Sequence, residues 1–290
     1  MKRSAVTSDF SILYFTVLAY LISWIIWLPL YGSHLGIHGL PVVPYHHALG
    51  ALGPFLAAFI MTYVLNGISG VRELGNRLIQ WKLPIKWHLI AWLSPFLLLS
   101  VALFIAYLSK GEPVSIAGMG VSKEFPEFGI VAFLLYNIFS FGYGEETGWR
   151  GFVLPRLQAR YNALWASILL NFIWAGWHIP LFFYRPGYTS MEVASIIGWL
   201  LSLFTGSILL TWLYNSSKGS ILIVSIFHAT IDVAFTSTAV QGDIANYMGM
   251  LITFWAIILV FIVKPRNLSR ESRQKFFDTD TKVDTQTVST

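Results

Sequence analysis

The chain has 290 residues, 56% hydrophobic and 11% charged, with a formal net charge of +5 and a mean hydropathy of +0.64. Soluble domains carry about 25% charged residues, so this composition excludes a water-soluble globular fold and implies lipid-facing surfaces. The absence of cysteine excludes disulfides, thiolate nucleophiles, cysteine-ligated metals and cysteine-linked lipid anchors.

A spanning helix needs roughly 20 apolar residues at about 1.5 Å rise each, and eight such runs follow one another. The first, Phe10–Tyr31, is too long for a signal-peptide core and lacks a small-residue cleavage site, so it is expected to be retained. The second is His47–Leu65 and the third His88–Leu108. Between them, Val71–Trp87 sets Leu74, Leu78, Ile79 and Trp81 among basic residues, a pattern of an interfacial amphipathic helix or of an ordinary basic loop. The fourth run starts at Phe128, continues past Arg150 and is interrupted by charge; the fifth is Ala163–Phe183. The last three are Val193–Tyr214, Ser220–Phe235 and Tyr247–Val263. The chain therefore divides into a short cytoplasmic N-terminus (1–9), a membrane bundle (10–263) with its chemistry in 128–235, and a polar tail (264–290) rich in Ser, Thr and Asp and expected to be disordered. No internal repeat or second, soluble domain is apparent.

Alternating the connections from side to side places sixteen of the nineteen Lys and Arg residues on one side, with Lys110, Lys123 and Arg185 on the other. The positive-inside rule then puts both termini in the cytoplasm, in agreement with an even helix count. The net positive charge is thereby assigned to membrane orientation and not to a nucleic-acid partner. The expected fold is all-α: a polytopic transmembrane helix bundle of about eight spanning helices.

Six ionisable residues fall inside the runs: Glu145, Glu146, Arg150, His178, His228 and Asp232. Each costs about 2.5–3.5 kcal/mol at a helix centre, so each needs a partner or water. Glu146 precedes Arg150 by one turn and can pair with it, whereas Glu145 points about 100° away and is left for chemistry. His228 and Asp232 share a helix face, so the carboxylate can orient the imidazole; a buried polar contact between helices is the plainer reading. His178, flanked by aromatic residues, reads by itself as structural. Gly144 and Gly148 form a small-xxx-small pair that permits close helix approach. Along their helices Glu145 stands roughly 22 Å from Arg160, His228 roughly 15 Å from Lys218 and His178 roughly 24 Å from Asn162. Convergence of His178 with the others therefore requires tilted helices or a later start to the fifth.

If these residues converge, peptide hydrolysis has its parts. A base activates water, and donors stabilise the oxyanion on the scissile carbonyl. Glu145 with His178 can serve the first need, and His228 with Asp232 the second. Alternatively Glu145, His178 and His228 hold Zn²⁺, a ligand set of the metallopeptidase type. The residues alone do not choose between the two.

The motifs resemble those of the CAAX-processing and bacteriocin-processing (CPBP, or Abi) intramembrane proteases. Glu145-Glu146 with Arg150 matches EExxxR, His178 matches the histidine of FxxxH, and His228 with Asp232 matches a histidine followed four residues later by Asn or Asp. Trp174 departs from the pattern by standing where the family has Phe. The resemblance implies an endopeptidase acting near the end of a lipidated or membrane-anchored peptide or protein in a cell membrane, bacterial or archaeal. It assigns water activation to Glu145 and His178, oxyanion stabilisation to His228 and Asp232, and support to Glu146 and Arg150. The family is described both as metal-dependent and as glutamate-dependent; the metal-free form is favoured here because Glu145 emerges from the pairing argument and no third histidine is evident. Rival readings are an inactive immunity or scaffold protein of the same fold, a proton-coupled transporter, which the lack of repeats weakens, and a bis-histidine cytochrome, which leaves the glutamates and arginine without a role.

Overall fold

The computed structural model describes residues 6–111, 116, 118–240 and 242–275. Among the described residues, six helices or helix pairs are long and apolar enough to cross a membrane: Phe10–Leu35, His46–Leu78, Ile85–Lys110, Ala163–Tyr184, Val193–Ser216 and Asp243–Val263. They contain α1 (Val6–Tyr31), α2 (His46–Ala51) with α3 (Gly53–Leu78), α4 (Ile85–Lys110), α8 (Ala163–Trp177) with α9 (Leu181–Tyr184), α10 (Val193–Ser216) and α12 (Asp243–Val263). Two further members lie among them. One is α11 (Ile221–Thr236), at 16 residues too short to span alone but buried along most of its length. The other is a composite path made of α5 (Ile130–Asn137), α6 (Gly144–Gly148) and α7 (Leu154–Arg160). The eight runs expected from hydropathy are all present, and among the described residues extended pairing is confined to the bridge between Ser122 and Ser237. The chain is a multi-pass, all-α membrane protein.

The composite path, which bears Glu145, Glu146 and Arg150, is not a plain α-helix. Wide π-type turns, Ile138–Tyr143 and Trp149–Val153, flank α6 on both sides; such turns insert an extra residue and re-aim side chains, often at functional sites. Glycines let it press against its neighbours. A Cβ at Gly142 would stand 2.5 Å from the Ser225 carbonyl oxygen of α11, and one at Gly148 would stand 2.8 Å from that of Pro54 in α3. The small-xxx-small pair thus works as a close-approach surface, with Gly144 set against Ala51.

Backbone groups freed by breaks in the helices find partners, as a lipid environment demands. Pro95 inside α4 lacks an N–H, which leaves the carbonyl of Ala91 without its intrahelical donor. The Thr230 hydroxyl of α11 donates to that carbonyl at 2.7 Å, so a local defect becomes a tie between two helices. The start of α8 is capped by Asn162, whose Oδ1 accepts from Trp165 N at 2.9 Å. Its far end is moored to α1: Trp24 Nε1 donates to the Trp177 carbonyl at 3.0 Å, Trp177 Nε1 to Ser23 Oγ at 2.8 Å, and the Tyr20 hydroxyl to the Ile173 carbonyl.

Two expectations need revision. The Val71–Trp87 segment is not one amphipathic helix: α3 breaks at Gly67 (φ 61°, left-handed backbone that glycine tolerates), runs helical to Leu78, and gives way to a turn before α4. Leu74 is buried there, while Ile79 and Trp81 are exposed. The tail is also packed further than composition implied. Residues 264–275 fold back over the ends of α7, α8 and α10: Arg266 and Pro265 carbonyls accept from Ala163 N and Leu164 N at 3.0 and 3.1 Å, and Leu268 is fully buried. The sequence hides this because the contacts are mostly to the tail's backbone carbonyls, which every residue carries. The remainder of the tail, 276–290, lies outside the described residues.

Candidate active site

The structure brings the four residues that the sequence selected into the lining of one cavity of about 700 Å³: Glu145 from α6, His178 just past α8, and His228 and Asp232 from α11. Glu145, His178 and His228 are buried, and Asp232 is partly exposed to the cavity. His178 reaches the others because α8 ends at Trp177 and is held against α1, and because Trp174, one turn earlier, fills the space between them.

Beneath the cavity lies the pair inferred from spacing. Arg150 Nη1 donates to Glu146 Oε1 at 2.9 Å, both side chains being fully buried. Arg150 also donates to Ser207 Oγ at 3.3 Å and stacks on the Trp174 ring at 4.6 Å from its centroid. The same Glu146 oxygen accepts from His228 Nδ1 at 2.7 Å. That contact fixes the imidazole so that Nε2 faces Asp232, whose Oδ2 is 3.6 Å away. Neither Glu146 nor Arg150 lines the cavity; they form the floor on which His228 stands.

Glu145 is held differently. Its Oε2 accepts from Trp174 Nε1 at 2.6 Å and, more weakly, from Trp149 Nε1 at 3.4 Å. No side-chain hydrogen bond from Arg150 reaches it, as the angular argument required. The departure at Trp174 therefore has a chemical content: an indole supplies an N–H to the carboxylate, which a phenyl ring cannot. Trp174 also accepts at its carbonyl from His178 Nδ1 at 2.7 Å, leaving His178 Nε2 as the free nitrogen, and its ring meets His228 edge-on at 5.7 Å. One residue touches both halves of the site.

Several lining residues carry no signal in the sequence. His47 is a third histidine on the cavity wall, buried, with its Nδ1 2.7 Å from the Tyr184 hydroxyl; the expectation that no third histidine was available is corrected. It belongs to no motif and sits beside a loop, so only the fold could place it. An aromatic wall of Trp177, Trp199 and Tyr188 surrounds the His178 ring at 5.0–6.4 Å. At the rim, Arg185 Nη1 donates to Glu124 Oε1 at 2.6 Å and Lys123 Nζ to the Val240 carbonyl at 2.6 Å. Burial opposes the Arg185 charge, but Glu124 outweighs it and holds the guanidinium above its ordinary value. Burial pushes the Tyr188 phenol up to about 12 and draws the Lys123 ammonium down.

Among the described residues no three His, Asp or Glu side chains gather closely enough to share one ion, although the Nδ1 contacts of His228 to Glu146 and of His178 to the Trp174 carbonyl leave both Nε2 atoms unused by those bonds. The arrangement does not fit a three-ligand zinc site through Glu145, His178 and His228.

Residues 127–234, the segment that builds most of this site, match the family described as Type II CAAX prenyl endopeptidase Rce1-like. The chain is also similar to the CAAX prenyl protease 2 of Methanococcus maripaludis, 28% identical over 239 residues that cover 77% of this chain and 83% of the relative. The resemblance carried by three short motifs thus extends across most of the chain.

Proposed function

Taking that family match as premise, we propose that the chain is an intramembrane endopeptidase of the CAAX type, hydrolysing a peptide bond near the end of a lipidated or otherwise membrane-anchored peptide or protein. The observation that carries this reading is the convergence of Glu145, His178, His228 and Asp232 on one cavity inside a helical bundle. Six intramembrane ionisable groups are costly to retain without chemistry to do.

Glu145 is the proton acceptor. Its carboxylate is positioned by the Trp174 N–H and takes a proton from a water that His178 Nε2 orients. The resulting hydroxide adds to the scissile carbonyl, forming the C–O bond. The oxyanion that develops is met by His228 from Nε2; for that the imidazole carries a proton on each nitrogen, and Glu146 and Asp232 on either side compensate its charge. Collapse breaks the C–N bond, and the proton held by Glu145 passes to the departing amine. Water is the only co-reactant, and no step is routed through a metal.

The test uses purified protein in detergent with a panel of prenylated and membrane-anchored peptides. Glu145→Gln, His178→Ala and His228→Ala are each expected to reduce cleavage at least about 100-fold while the protein stays folded, the usual scale for removing an acid–base group. Retained cleavage in Glu145→Gln overturns the mechanism. Strong chelators are expected to leave activity unchanged; loss restored by added Zn²⁺ overturns the metal-free form.

A further inference from the structure

We infer that Arg185, at the mouth of the cavity, receives the C-terminal carboxylate of the substrate, and that Glu124 holds the place of that carboxylate until the substrate arrives. The inference rests on the peptidase reading and adds to it the group that sets how far from the chain end the cut falls.

The mouth is formed by the connection from α4 to α5, which lends Ser122, Lys123 and Glu124 to the lining, and by that from α9 to α10, which lends Arg185 and Tyr188. Arg185 donates from Nη1 to Glu124 Oε1 at 2.6 Å, so a carboxylate already occupies this guanidinium. One bond leaves much of the fork unspent, and the fork can hold a carboxylate bidentately. Both partners are accessible from the mouth, with 19% of the Arg185 side chain and 35% of the Glu124 side chain exposed. Ion pairs open to solvent add little stability, so an incoming carboxylate can exchange for Glu124 at low cost. The backbone beside Glu124 need not move. It is held from the other side by the Ser122–Ser237 bridge, by the Lys123 N–H on the Thr236 carbonyl at 3.2 Å and by the Lys123 ammonium on the Val240 carbonyl at 2.6 Å.

Charge fixes the direction in which a peptide lies. Glu145 and Asp232 present carboxylates deeper in the cavity, where an anionic chain end is repelled. The His228 imidazole is compensated by Glu146 and Asp232. The Lys and Arg side chains of the lining, Lys123 and Arg185, stand at the mouth, and Lys123 is taken up by Val240. Arg185 is therefore the anchor.

Spacing gives the register. Arg185 follows His178 by seven residues, and the backbone between them is helical: Leu181 N donates to the His178 carbonyl at 2.9 Å, Phe182 N to Ile179 at 3.2 Å and Arg185 N to Leu181 at 2.8 Å. At about 1.5–2.0 Å rise per residue the two positions stand roughly 10–14 Å apart. That is the reach of about three to four extended residues at ~3.3 Å each. Tyr188 links the two positions, its ring 6.4 Å from that of His178 and its N–H on the Arg185 carbonyl at 3.0 Å. With Trp199 it offers an apolar wall to such a tail.

The test uses the full chain, purified in detergent, with one farnesylated peptide ending either in a free carboxylate or in a carboxamide. Cleavage is read as kcat and KM, and binding as the Kd of fluorescent forms of both peptides on Glu145→Gln, with and without the Arg185 substitutions. The wild-type chain is expected to favour the free acid at least about tenfold in kcat/KM, the scale of a hydrogen bond to a charged group, and Glu145→Gln to bind it with the same preference. Arg185→Gln is expected to bring the preference below about threefold, chiefly through KM, and Arg185→Lys to retain more of it. Glu124→Gln frees the anchor and is expected to lower the KM of the acid peptide at least about twofold. An ion pair that only braces the mouth predicts instead that Glu124→Gln and Arg185→Gln raise KM alike. That result overturns the inference, as does equal handling of acid and amide by the wild-type chain, or a preference that survives Arg185→Gln. Absence of cleavage together with Arg185-dependent preference for the acid in binding refutes the peptidase reading and leaves the anchor standing. Binding of neither peptide overturns the anchor.

Discussion

Replacing Arg150 with Met tests whether the floor of the site acts as a coupled unit. The change keeps most of the aliphatic volume while removing the 2.9 Å pair with Glu146, the 3.3 Å bond to Ser207 and the guanidinium over Trp174. Deleting one partner of a buried ion pair costs about 3–5 kcal/mol, chiefly because the other charge stays behind. Glu146 keeps His228 at 2.7 Å, so Arg150→Met is placed near the lower end, at about 3 kcal/mol. Glu146→Gln removes the carboxylate that neutralises the guanidinium and leaves it only neutral acceptors and the indole face at this contact, and is placed near the upper end, at about 5 kcal/mol. The double variant leaves neither charge. Its cost is expected to fall short of the sum by at least about 2 kcal/mol, within the range measured for residues of one network. Unfolding in mixed detergent and SDS micelles, followed through the twelve tryptophans, gives all four free energies. Additivity to within about 0.5 kcal/mol would refute the coupling of Arg150 with Glu146.

Trp174→Phe restores the family's residue but removes the N–H held 2.6 Å from Glu145. Since a hydrogen bond to a charged group contributes about 1.5–3 kcal/mol, kcat is expected to fall roughly 10- to 150-fold with little change in unfolding midpoint; full activity would show that the ring alone matters. Thr230→Val removes the donor to the Ala91 carbonyl and is expected to cost about 0.6–1.7 kcal/mol in the same unfolding assay, the scale found for interhelical bonds in membranes. Gly142→Ala puts a methyl 2.5 Å from the Ser225 carbonyl oxygen, which the backbone cannot yield cheaply. Destabilisation of about 1–3 kcal/mol and reduced cleavage are expected, and wild-type values for both would mean that the two helices are not in register as described.

The bundle was legible in the sequence because spanning a bilayer forces a long apolar run whatever the neighbours are, and all eight runs correspond to helical segments. Glu146 and Arg150 were legible because their relation is local, one helical turn. The position of His178 was not: it depends on where α8 stops and on its mooring to Trp24 and Ser23 of α1, contacts separated by about 150 residues. His47 escaped for the same reason, since a histidine beside a loop looks identical whether it meets Tyr184 or solvent. The π-type turns around α6 leave no compositional mark either, because they arise from packing against α3 and α11.

The packed segment 264–275 also bears on how the protein is made. It follows all eight membrane runs in the chain, yet it supplies the carbonyls that satisfy Gln158 and Asn215, side chains of helices synthesised much earlier. Until those residues leave the ribosome and dock, two buried amides lack part of their bonding and that end of the bundle is not closed. Docking of this segment is therefore a late step of assembly, so a chain cut shortly after Val263 would hold its helices yet leave the Gln158 and Asn215 amides incompletely bonded.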